Sequence, residues 1–145
     1  GAVKYAFLKV RTGGDIIYDP KDSVSLQGNS GPYLQYAHAR ASSILAKATT
    51  HDSQLTTHEY KHAERSLLRK ISEYAEVVDR ATEELMPHHV CTYLYELAQA
   101  FNRFYEHNRV IGDEREAIRI QLVSKYASRL KDGLDLLGIH APEKM

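Results

Sequence analysis

A chain of 145 residues with 19 acidic and 19 basic side chains is long enough for one hydrophobic core and carries no formal net charge. Its hydrophobic content of 43% and charged content of 26% are those of an ordinary globular protein. The neutral balance excludes a protein that coats nucleic acid by charge alone, but not one that reads a few unpaired bases at a local site.

No apolar run approaches the roughly 20 residues of a membrane span, and no secretory signal pattern opens the sequence. The lone Cys91 has no partner for an internal disulfide, which suits a cytoplasmic protein. The chain starts Gly1-Ala2-Val3 without an initiator methionine, as expected of a piece of something longer.

Ala2 to Val10 is apolar enough for a short helix, and Thr12-Gly13-Gly14 breaks it. Asp15 to Asp19 reads as a short extended piece ended by Pro20. Residues 1–28 are therefore expected to be a connector, with the main helical domain over 29–145. The next segment is the most informative. In Gln27-Gly28-Asn29-Ser30-Gly31-Pro32-Tyr33, the glycines allow a tight turn, Asn29 or Ser30 can cap a helix, and Pro32 suits its first turn. The helix that follows, to about Ala48, sorts its residues. Leu34, Ala37, Ala41, Ile44, Leu45 and Ala48 share an apolar stripe, while Tyr33, Tyr36, Arg40 and Lys47 share a neighbouring one.

Thr49 to about Thr57 is polar and reads as a loop. From Glu59, Leu67, Ile71, Tyr74, Val78, Ala81 and Leu85 recur at helical spacing, as one helix or as two with a break near Tyr74-Ala75. Pro87 opens another helix with a stripe of Val90, Leu94, Leu97, Phe101, Phe104 and Asn108, and Gly112 ends it. Asp113-Glu114 place acidic charge at the start of a last helix. Its buried row is Ile118, Leu122, Tyr126, Leu130, Leu134 and Leu137. Gly133 inside that helix points to a close helix contact, and Gly138 suits a cap before the Pro142 tail. Four to five amphipathic helices with short connections predict an all-α antiparallel bundle, preceded by a short helix and an extended connector.

Two trios stand out. Tyr33, Tyr36 and Arg40 occupy i, i+3 and i+7 on one helix, and Asn102, Tyr105 and Arg109 repeat that spacing on another. Each lies at the edge of its apolar stripe. Facing one another, they would form a slot in which rings stack on unpaired bases and guanidinium groups meet phosphates. Spacing alone equally allows core-boundary tyrosines beside solvated arginines. Other chemistries find less support. The eight histidines, among them His51, His58, His62, His88 and His89, complete no recognised four-ligand metal pattern with Cys91. No phosphate-binding glycine loop and no nucleophile–base motif occurs, and Cys91 reads as a packing residue. His38 beside the apolar stripe either orients a tyrosine or fills the boundary, and Glu73, Glu76, Asp79, Glu83 and Glu84 form a solvated acidic face.

The segment GNSGPYLQYAHAR closely resembles the opening of the DALR-type anticodon-binding domain of arginyl-tRNA synthetases, and Gly133-Leu134-Asp135-Leu136-Leu137-Gly138-Ile139 with Ala141-Pro142-Glu143-Lys144-Met145 resembles that family's C-terminus. The resemblance implies that Tyr33, Tyr36, Arg40, Tyr105, Arg109 and Met145 contact the anticodon loop of arginine tRNA. Asn102 joins them through its spacing. It also implies that residues 1–28 lead from a catalytic domain, the other expected partner. Family members often carry a proline near position 75, where this chain has Ala75. Neither the HIGH-type nor the KMSKS-type motif is present. The chain alone is thus expected to have no catalytic residue and no cofactor, with ATP bound elsewhere in the parent enzyme, and to be monomeric. The competing expectation, suited by neutral charge and tyrosine-rich edges, is a helical protein-interaction module that binds no nucleic acid.

Overall fold

The computed structural model describes residues 1–48 and 59–145, so the expected loop at 49–57 and the histidines at 51 and 58 lie outside the described residues. The described residues form seven helices: α1 (Ala2–Leu8), α2 (Pro20–Ser23), α3 (Gly31–Ala46), α4 (His62–Ser72), α5 (Tyr74–Glu84), α6 (His88–His107) and α7 (Glu116–Leu136). The all-α bundle expected from the spacing is the fold observed, with α3 to α7 as its body. The helix α6 is central, packing on α3, α4, α5 and α7, while α3 makes its most extensive contact with α7. Among the described residues no helix is long and apolar enough to cross a membrane.

The core is built from the rows anticipated on α6 and α7. Val90, Leu94, Leu97, Phe101 and Phe104 meet Leu122, Tyr126, Leu130 and Leu134, all buried. Gly133 is what lets the two helices close. A Cβ there would lie 2.4 Å from Leu94 Cδ2, inside van der Waals contact. At the other end Gly31 serves α1, because a Cβ would lie 2.9 Å from the Gly1 carbonyl oxygen and 3.0 Å from Tyr5 Cβ. Tyr5 is fully buried in this same core. Its hydroxyl lies 2.6 Å from Asn29 Oδ1 and 3.1 Å from the Cys91 carbonyl oxygen, tying α1 to the turn that precedes α3 and to α6. Cys91 is itself buried, and burial pushes its thiol up to about 12, as befits a packing residue rather than a nucleophile.

Several local expectations change. Pro20 does follow an extended Asp19, but it also opens α2, because the Asp19 carboxylate accepts from the Lys21 and Asp22 amides at 2.8 and 3.4 Å. The second helical pattern is two helices, parted at Glu73 without a proline. The Tyr93 hydroxyl of α6 lies 2.8 Å from the Lys70 carbonyl and 3.1 Å from that of Ile71, and its one proton serves acceptors that a continuous helix would use. Leu85 is not in the buried row: it is 80% exposed and left-handed (φ 54°). The Met86 amide reaches back to the Ala81 carbonyl at 2.9 Å, a turn that closes α5 just before Pro87. The last helix starts at Glu116, three residues later than read, because the Asp113 carboxylate folds the preceding turn by accepting from the Arg115 amide at 2.8 Å. Ile118, in its first turn, is only partly buried.

Candidate nucleic-acid interface

The Ser30 hydroxyl caps α3 by accepting from the Tyr33 amide at 3.1 Å, with Pro32 in the first turn. This cap fixes where the helix begins and hence the face on which Tyr33, Tyr36 and Arg40 fall. Its apolar stripe (Leu34, Ala37, Ala41, Ile44) is buried, which brings its tyrosine edge beside α6.

There the two helices meet through polar groups. Asn102 bridges them: its Nδ2 donates to the Tyr33 hydroxyl at 2.8 Å, and its Oδ1 lies 3.5 Å from Arg40 Nη1. The Arg40 guanidinium stands over the Tyr105 ring, 4.9 Å from its centroid, within cation–π range. Tyr105 in turn stacks on Phe101 (5.9 Å, 20°), and Phe101 lies nearly parallel to the buried Tyr126 (4.1 Å, 8°). Arg40 thus tops a column of three rings that runs down into the core. Burial first, then the neighbouring Tyr95, push the Tyr33 hydroxyl above its ordinary pKa, against the opposing pull of Asn102 and Arg40, so it stays a neutral phenol.

Four of the seven predicted site residues, Tyr33, Arg40, Asn102 and Tyr105, therefore come together. Tyr36, one turn from Arg40 on α3, is 43% exposed. Arg109 does not hold the helical relation to Asn102 expected of it, because α6 ends at His107. It stands in the turn beyond, with Nε donating to the Ile111 carbonyl at 2.8 Å. Met145 is 64% exposed. The tail before it is clasped to α3, since Gln35 Nε2 donates to the His140 carbonyl and His38 Nδ1 to the Pro142 carbonyl, both at 2.8 Å. His38 is buried and serves the tail rather than a tyrosine.

Sequence reasoning missed three groups here. Tyr95 meets Tyr33 edge-on (5.8 Å, 63°); its seven-residue spacing from Asn102 on α6 was a usable signal. Gln35 gave none. Tyr126 lies in the core as expected, but its hydroxyl is buried without a hydrogen-bond partner, and burial pushes its pKa up. Among the described residues no three His, Cys, Asp or Glu side chains are grouped to hold a metal ion. The acidic residues foreseen as a solvated face lie apart from the slot, on α5 and its flanks, where Glu84 pairs with Arg80 and His89, and Glu73 with Lys70.

Known proteins bear on this arrangement. The family model of the DALR anticodon binding domain matches residues 34–145. The arginine–tRNA ligase of Thermobifida fusca is 40% identical over 150 residues, covering all of this chain and 26% of that protein. That of Frankia casuarinae is 44% identical over 151 residues, covering all of this chain and 25% of its own length. Among solved structures, Thermus thermophilus arginyl-tRNA synthetase matches with a TM-score of 0.93 at 34% identity, over 100% of this chain and 26% of that one. The arginyl-tRNA synthetase of Plasmodium falciparum matches with a TM-score of 0.88 at 29% identity, over 99% of this chain and 26% of its own. The chain spans about a quarter of the length of the relatives it matches.

Proposed function

Because this chain belongs to the DALR anticodon binding domain family, we propose that it grips the anticodon loop of a tRNA, arginine tRNA in particular, through the α3–α6 slot. The reading extends to the parent protein. This chain is the RNA-holding part of an arginine–tRNA ligase, whose catalytic domain lies outside it and joins arginine to the tRNA with ATP. Residues 1–28 connect the two.

The observation that carries the reading is Arg40, held between the Tyr105 ring and Asn102 beside the exposed Tyr36. A stacked guanidinium with one long hydrogen bond keeps most of its donors available. A phosphate or a base edge would take them, while a splayed base stacks on Tyr36 or displaces Arg40 from Tyr105. In this reading Arg109 supplies a further cation to the RNA and Met145 a flexible apolar contact. The zero net charge fits a site that reads bases, because charge-only binding weakens steeply with salt and discriminates little.

The test measures binding of arginine tRNA and of a non-cognate tRNA across a salt series. A cognate preference that survives moderate salt is expected, with Tyr36→Ala and Arg40→Ala each weakening the cognate complex about tenfold. Equal affinity for both tRNAs, or unchanged affinity in both variants, would overturn the slot.

A further inference from the structure

A second arginine constellation lies behind the turn that carries Arg109. Glu64, on the first turn of α4, is fully buried. Its Oε1 accepts from Arg115 Nε at 2.7 Å and from Arg119 Nε at 3.0 Å. Its Oε2 accepts from the Lys61 amide at 3.0 Å and from Arg115 Nη2. Arg119, 5% exposed, uses the other arm of its fork on the turn: Nη1 donates to the Arg109 carbonyl at 2.5 Å and lies 3.5 Å from Asp113 Oδ1. Arg115 reaches back as well, donating to the Glu59 carbonyl at 3.2 Å.

Such a cluster is a poor source of net stability, since desolvating several charges offsets most of their attraction. What it does supply is geometry. A guanidinium is a rigid plane with donors at fixed separations, so it satisfies Glu64 and the Arg109 carbonyl together only when they keep one spacing. Arg109 needs that help, because it lies past the end of α6 and before the start of α7, where no helical ladder fixes its backbone. The chain reverses just beyond it at Gly112 (φ 77°).

We infer that Arg119, seated on Glu64, is a positioning residue for RNA: it sets the backbone at Arg109 and thereby aims that guanidinium at the anticodon loop. The inference rests on the proposed function, because it takes Arg109 to meet RNA. Arg119 itself, buried under the turn, touches none.

The test is a double-mutant cycle on the full chain, in which Arg119→Lys keeps the charge and removes the fork. Amide exchange over residues 109–113 should speed up while helical content is kept. Affinity for arginine tRNA should fall about fivefold, with no further fall in an Arg109→Ala background and a multiplicative one with Tyr36→Ala. Glu64→Gln, run in parallel, should reproduce the pattern and keeps the question open to measurement if the lysine variant does not fold. Unchanged exchange at 109–113, or equal weakening with and without Arg109, would overturn the positioning role. Wild-type affinity in Arg109→Ala alone would also overturn it and leave the slot reading intact, whereas loss of cognate preference in the wild type would remove both.

Discussion

Two arginine sites in this molecule are made of similar parts and do opposite things. In the Glu64 cluster Arg119 is buried and Arg115 is largely covered, and both meet a carboxylate and spend donors on it and on backbone carbonyls. In the α3–α6 slot Arg40 is half-buried, meets a neutral amide at 3.5 Å, and rests on a ring. The first is closed and specifies where a turn sits. The second is left with unused donors, which is what a binding site requires. Burial and satisfaction separate structural from available charge; residue type does not.

The sharpest way to break the comparison is Glu64→Ala. It takes the shared carboxylate from the buried Arg119 and the partly exposed Arg115, with Asp113 still 3.5 Å from Arg119, and should destabilise the fold by about 3 kcal/mol in denaturant unfolding. Acid tests the same group more gently. Burial pushes the Glu64 carboxyl up, but the hydrogen bonds from Arg115, Lys61 and Arg119 outweigh it and hold it at about 2, below its ordinary 4.5. A depressed carboxylate stabilises the fold fully above the ordinary value. That contribution is lost as pH falls from about 4.5 toward 2, so the melting temperature should drop across this window and drop less in Glu64→Ala.

Gly133→Ala comes next. The helix gains about 1 kcal/mol of propensity, yet the new methyl collides with Leu94 at 2.4 Å. A net loss of about 1–3 kcal/mol in unfolding free energy is expected, with RNA affinity per folded molecule unchanged.

Within the slot, the two tyrosines of α3 should separate. Tyr36→Ala removes an exposed ring, and should weaken tRNA binding by about 1–3 kcal/mol while thermal unfolding stays within about 0.5 kcal/mol of wild type. Tyr33→Ala should lower both, because Tyr33 also packs against the core and on Tyr95. The smallest effect belongs to Tyr126→Phe. Deleting a buried hydroxyl that has no partner should leave stability unchanged or raise it by up to about 1 kcal/mol in thermal unfolding. A clear loss would mean that the hydroxyl is bonded in solution.

Sequence by itself determined the helices of the body, their apolar rows, the Ser30–Pro32 start of α3 and the tight spot at Gly133, because these follow from spacing and from the conformational limits of single residues. It also placed Tyr33, Tyr36 and Arg40 on one edge and Asn102 and Tyr105 on another. Whether those edges face each other, and through which atoms, was decided by packing, since a helical stripe says which side is apolar but not which helix covers it. The same holds for the break at Glu73, made by a hydroxyl on α6, and for the turn that takes Arg109 off its helix. The Glu64 cluster lay beyond any local reading. Glu64 stands more than fifty residues from both of its arginines, and a buried carboxylate looks like a surface one until the fold brings them to it.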